Sequence, residues 1–169
     1  MSEVYRKCVA IFLSKVDDEK NLADDRPLNG STTVLAAERS LIPNAWQIPQ
    51  GGVDAGEQYL DAAIRELYEE TGIKSVKIIG CTDDSYKYDY PDHIKSAIFK
   101  KYGTVYAGQE VKFFLFEFIG NDDEINLQIS ENQEFSRWRW MPVKNLLGFI
   151  VEFKKNAFQN AARDLQLTS

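Results

Sequence analysis

This chain has few of the residues from which many protein sites are built. It carries two cysteines and a single histidine in 169 residues. Cys8 and Cys81 lie far apart and make no metal-binding spacing, so they read as free thiols in a reducing cytosol. His93 has no partner at catalytic or metal spacing, which leaves general-base work to a carboxylate or to metal-bound hydroxide. Positive charge is also scarce: 20 Lys and Arg stand against 26 Asp and Glu, for a formal net charge of −6. Broad electrostatic docking to nucleic acid works by counterion release and needs a cation surplus on one face. Without that surplus, anionic ligands must be admitted by local basic residues and metal. No apolar run approaches the roughly 18 residues of a membrane span, and MSEVYRKCVAIFLS has no small-residue cleavage site behind a long apolar core. The expectation is a cytoplasmic protein with no membrane partner and no stable protein partner.

What is present suits one enzyme-sized domain over 1–169. A hydrophobic content of 44% can fill a single sizeable core and leaves little for a second. Val4 to Leu13, rich in β-branched and aromatic residues, reads as a strand. Residues 15–31 are polar and acidic, with Pro27 and an Asn29-Gly30 turn, and read as a long hairpin connection or a surface insertion. Strands are expected at Thr32 to Ala37, Trp46 to Pro49, Val76 to Ile79, Val111 to Ile119 and Trp138 to Met141. The run VKFFLFEFI is too continuously apolar for an exposed edge. Leu146 to Leu167 shows a helical pattern with Ile150, Phe153, Ala157 and Ala161 in register. Such an order predicts an α/β layered domain.

The informative segment is GGVDAGEQYLDAAIRELYEETGI, residues 51–73. Helical offsets of three and four keep Glu66, Glu69 and Glu70 within an arc of roughly 100°. Leu60, Ile64, Leu67 and Thr71 form a mostly apolar stripe on the other side, which predicts that this stripe packs into a core. Like charges at that spacing repel by roughly 0.2 to 0.5 kcal/mol per pair, so helix stability gives no reason to gather them. A bound cation reverses the sign. Mg²⁺ takes hard oxygen ligands and is commonly held by one or two carboxylates, with water and substrate phosphates filling its other positions. The glycines ahead of the helix allow close backbone approach to a metal or phosphate. Asp54 and Glu57 are spaced as a capping box, so Glu57 serves either the helix start or the chemistry. Arg65 is expected to brace Glu69 by a salt bridge.

The segment resembles the Nudix hydrolase signature, G-x5-E-x7-R-E-U-x-E-E-x-G-U, at Gly51, Glu57, Arg65, Glu66, Leu67, Glu69, Glu70, Gly72 and Ile73. The resemblance implies an α/β/α sandwich with a mixed central sheet, and divalent cations that assist hydrolysis of a nucleoside diphosphate linked to another moiety. Outside the box, WQIPQGGVDAGE, YDYP, GQEVKFFLFEF, EFSRWRW and VEFKK are similar to segments of asymmetrically cleaving diadenosine tetraphosphate hydrolases and bacterial RNA pyrophosphohydrolases. The first activity, diadenosine tetraphosphate and water to ATP and AMP, is the leading expectation. Removal of pyrophosphate from 5′-triphosphorylated RNA is the alternative. A non-catalytic nucleotide-binding module would be expected to lose one of the paired glutamates, and a hydrolase of oxidised nucleoside triphosphates conflicts with the segments outside the box.

The resemblance also implies roles for residues. Glu66, Glu69 and Glu70 become ligands of Mg²⁺ or Mn²⁺ together with a carbonyl from the Gly51 region. Glu134 approaches the metals from outside the helix, and either it or one of Glu69 and Glu70 positions the water. Arg39 matches a basic residue facing the polyphosphate and Arg6 one near the opening of the cleft, although sequence alone favours a surface salt bridge for each. Tyr88 and Phe153 match adenine-binding positions, with Lys154 beside them for phosphate and Lys112 as a further phosphate contact.

Overall fold

Alternate residues of the first strand face two different cores, and that period of two organises the molecule. A computed structural model describes residues 3–15 and 32–169. It contains strands β1 (Tyr5–Lys15), β2 (Thr33–Arg39), β3 (Trp46–Gln47), β4 (Gln50–Gly52), β5 (Val76–Cys81), β6 (Tyr86–Asp89), β7 (Gly108–Phe118) and β8 (Phe135–Pro142). The helices are α1 (Tyr59–Thr71), α2 (Asp92–Tyr102), α3 (Val143–Phe149) and α4 (Glu152–Asp164). Along β1, Cys8, Ala10 and Phe12 join a core with Leu146, Ala157, Phe158 and Ala161 of α3 and α4. Val9, Ile11 and Leu13 join another with Ala62, Ala63 and Leu67 of α1. Helices on both faces of one sheet make an α/β/α sandwich.

The sheet is mixed. Its path runs β3-β2-β1-β7-β5, with β4 on β1, β6 on β7 and β8 on β2. β1 and β7 are parallel in continuous register, from Tyr5 opposite Gly108 to Lys15 opposite Phe118. With β5 and β6 paired on its other side, β7 is interior, as its unbroken apolar run requires. Phe113 stacks on Phe12 at 5.9 Å and meets Phe158 edge-on at 4.9 Å. Each such buried ring contributes about 1.5 to 3 kcal/mol by leaving water.

Four expectations change. The stripe expected on α1 is buried only in part: Leu67 and Thr71 are buried as expected, but Leu60 and Ile64 are exposed and Ala62 and Ala63 face the core instead. Small alanines let the helix backbone lie close to the sheet, so bulk was a poor guide to the inner face. The C-terminal helix is two helices, broken at Ile150 and Val151, both in extended backbone. Strand β6 and helix α2 are additions, and α2 buries none of its residues. Glu57 lies ahead of the helix start, where the cap residue Gln58 makes no side-chain cap bond. Residues 16–31, most of the expected insertion, lie outside the described residues. No helix among the described residues is long and apolar enough to cross a membrane.

Candidate active site

The acidic helix stops where its sequence says it must. Gly72 adopts the left-handed conformation (φ 73°) and donates its N–H to the Tyr68 carbonyl, a cap that residues with a Cβ adopt only at a cost. At the other end, β4 pairs with β1, setting Val9 opposite Gly51 and Cys8 opposite Gly52. This brings the glycine backbone against the side chains of α1. A Cβ at Gly51 would fall inside the Glu66 carboxylate, and one at Gly52 would strike the Arg6 guanidinium. A side chain at either position would have to push aside the end of Glu66 or Arg6.

Arg65 ties the helix to the loop. Its Nε and Nη2 each donate to Glu57 at 2.8 Å, and Nη2 also donates to the Gly52 carbonyl at 2.8 Å. Nη1 donates to Glu66 at 2.8 Å and to Glu69 at 3.3 Å. It braces three glutamates, where the spacing pointed to Glu69 alone. The Arg65 hydrogen bonds hold the Glu57 carboxyl down at about 2. Glu57 also accepts the Asp54 N–H at 3.0 Å, so it closes the loop rather than capping the helix.

Glu66, Glu69, Glu70 and Glu134 line one cleft of about 330 Å³, with Gly51 in its wall. Burial pushes the Glu66 carboxyl up against the opposing effect of Arg65. Glu70 is raised well above the usual carboxylate range, first by burial and then by the charges of Glu66 and Glu134. Its Oε2 is buried without a hydrogen-bond partner. Arg6 also lines the cleft, together with Lys101 and Tyr102 from the last turn of α2. Those two were missed because α2 was not expected as a helix, although Ile94, Ile98 and Tyr102 recur at helical spacing and the two isoleucines pack against the core. The signal available was Lys100 and Lys101 ahead of Gly103, a helix stop with a left-handed glycine (φ 69°).

Tyr88, Phe153 and Lys154 form a separate group that lines no part of this cleft. The two rings meet edge-on at 5.8 Å, and the Lys154 Nζ lies 5.7 and 5.8 Å from their centroids. Tyr88 is 6% exposed and its hydroxyl donates to Gln109, so the half-buried Phe153 offers the more accessible ring. Burial, with the charge of Arg39 adding, pushes Lys154 down from 10.5 to about 8. Between those values the unfolded chain binds more protons at this group, so its contribution to stability rises with pH. Lys154→Met should therefore melt above the wild type at pH 7, and the gap should shrink from pH 8 to pH 10. A constant gap in melts across that range would refute it. Arg39 ends β2, exposed. Lys112 is not brought to the cleft; its Nζ donates to the Asp83 carbonyl at 3.5 Å.

The family model for the NUDIX domain matches residues 26–161. The chain belongs to the Nudix family. An RNA pyrophosphohydrolase of Pelagibacter ubique is 41% identical to it over 134 residues, 79% of this chain and 82% of that one. Another, from Mesorhizobium japonicum, is 36% identical over 166 residues, 92% and 86% of the two chains. The fold is similar to that of a C. elegans Ap4A hydrolase crystallised as a binary complex, with a TM-score of 0.59 at 21% identity over 94% and 96% of the chains.

Nudix hydrolases act on pyrophosphate bonds and generally use divalent cations such as Mg²⁺. The oxygen donors of this cleft suit such an ion. Glu70 has a buried oxygen with no other partner, and Gly51 leaves room for a carbonyl and a carboxylate side by side. Among the described residues no three acidic, His or Cys side chains are gathered into an all-protein cage.

Proposed function

We propose that this Nudix hydrolase removes pyrophosphate from the 5′ end of triphosphorylated RNA, with diadenosine tetraphosphate as a second substrate. The observation that carries the order is likeness to two RNA pyrophosphohydrolases at 41% and 36% identity over most of the chain. Sequence motifs alone put the dinucleotide first. The chemistry is common to both: water attacks one phosphorus, the bridging oxygen leaves with its phosphate, and the water's protons are given up to a base and the solvent.

Glu66, Glu69, Glu70 and Glu134, with the Gly51 carbonyl, would hold Mg²⁺ or Mn²⁺. The ion, when bound, neutralises phosphate charge and lowers the pKa of its water. Glu70, whose buried Oε2 has no hydrogen-bond partner, is the carboxylate we assign to take that proton. Arg65 fixes Glu66 and Glu69 in the rotamers the cleft requires. Arg6 and Lys101, which line the same cleft, attract the phosphate chain. Arg39 and Lys154 supply cations beside Phe153, whose ring stacks on a base; such stacking contributes about 1 to 3 kcal/mol.

Purified protein with Mg²⁺ should convert a triphosphorylated oligoribonucleotide to its monophosphate plus pyrophosphate, at a higher kcat/KM than diadenosine tetraphosphate to ATP and AMP. Turnover of the dinucleotide alone would reverse the order, and turnover of neither would end the reading.

A further inference from the structure

Beside the carboxylate cleft lies a second cavity of about 520 Å³, bordered by Val4, Tyr5, Lys7, Val53, Tyr102 and Tyr106. The two spaces share Arg6, Gly52, Glu66 and Tyr102, so they adjoin along that wall. The Arg6 guanidinium lies over the Tyr102 ring at 4.6 Å, and Tyr106 meets the same ring edge-on at 6.5 Å. Tyr102 remains 38% exposed. Neither Tyr88 nor Phe153 borders this cavity.

The linings differ in chemistry. The first cleft is walled mainly by carboxylates, amides and cations, the surface a phosphate chain and its metal require. The second presents three tyrosine rings and two valines, with Arg6 and Lys7 beside the carboxylates Asp54 and Glu66 at its edge. Nucleobases stack on aromatic faces and on arginine planes. A volume of this size falls in the range of small-ligand pockets. We propose that this cavity is a second base subsite, which takes a nucleobase of the polyphosphate substrate while Arg6, on the shared wall, holds the adjoining phosphate. The proposal rests on the polyphosphate reading of the cleft. It gives the substrate two aromatic holds, Phe153 and Tyr102, at separate places on the surface.

The test is Tyr102→Ala beside Tyr102→Trp, with a triphosphorylated oligoribonucleotide and diadenosine tetraphosphate as substrates and inorganic tripolyphosphate as a base-free competitive inhibitor. Tyr102 is well exposed and belongs to neither core, so the truncation leaves both cores untouched. Tyr102→Ala should raise KM by about tenfold for at least one nucleotide substrate with little change in kcat, and Tyr102→Trp should restore it. Inhibition by tripolyphosphate should be unchanged. Equal weakening of tripolyphosphate would mean that Tyr102 only props Arg6, and an unchanged KM for both substrates would remove the subsite; either result overturns the proposal. If the wild type turns over neither substrate, the functional reading fails separately. Calorimetric titration of diadenosine tetraphosphate into wild type and Tyr102→Ala then decides: about tenfold weaker binding supports the subsite, and equal binding overturns it.

Discussion

Glu70→Gln should lower kcat by about 10² to 10⁴-fold, the range expected when a positioned base is lost, while the protein still folds. Glu70 combines burial, an Oε2 with no partner, and neighbouring charges from Glu66 and Glu134. A carboxylate in that setting is costly to keep, and only a proton or a cation relieves it. The amide has nearly the same volume and can still accept the backbone N–H of Gln50 that now reaches the carboxylate. It cannot take a proton from water, and it is a weaker cation ligand. Thermal melts without metal should therefore match or exceed those of the wild type at pH 7. Full activity in the variant would remove Glu70 from the chemistry. A folded variant with lowered melting temperature and proportionate loss of activity would mark it as structural.

Gly51→Ala should cost about 10²-fold in kcat/KM, the scale of loss when reacting groups are displaced by about an ångström. The added methyl would occupy the space of the Glu66 carboxylate, which is the mobile end of a side chain and can swing aside. Its natural exit is limited, because Arg65 holds Glu66 at 2.8 Å and would have to release it or follow it. The strand pairing of Val9 with Gly51 does not depend on the missing Cβ, so the fold should persist. Circular dichroism near the wild-type spectrum, together with weaker Mg²⁺ binding by titration, is the expected combination. Wild-type Mg²⁺ affinity would show that Glu66 and the loop need not approach so closely.

Sequence was most legible where chemistry restricts residue choice. The helix with Glu66, Glu69 and Glu70, the glycines ahead of it, and Glu134 and Arg6 from distant segments all meet in one cleft. The α/β layering also followed from the apolar runs, whereas the sandwich with a mixed sheet was what the resemblance of residues 51–73 implied. Packing was harder to read. Hydrophobic size pointed to Leu60 and Ile64 as the inner face of α1, but closeness to the sheet favours Ala62 and Ala63. The two helices at the C-terminus read as one because Ile150 and Val151 interrupt the backbone without interrupting the apolar pattern. Helix α2 was not read because its apolar face is short, with Ile94 and Ile98 only partly buried against the core, yet its last turn carries Lys101 and Tyr102 to the cleft. The substrate order depended on likeness over the whole chain, because both substrates present the same phosphates to the same carboxylates.

The long parallel pairing of β1 with β7 carries a consequence for synthesis on the ribosome. β1 can meet β4 early, since Val9 and Gly51 are near in sequence, but its other edge waits for residues 108–118. Pairings between such distant segments are slow to form, and an unpaired strand edge is a template for aggregation until they do. A nascent chain that has displayed all three helix glutamates still lacks half of the sheet beneath them, together with Glu134. Hydrolysis should therefore begin only after nearly the whole chain has emerged, and a ribosome-stalled chain ending before β7 should show an exposed apolar edge and no turnover.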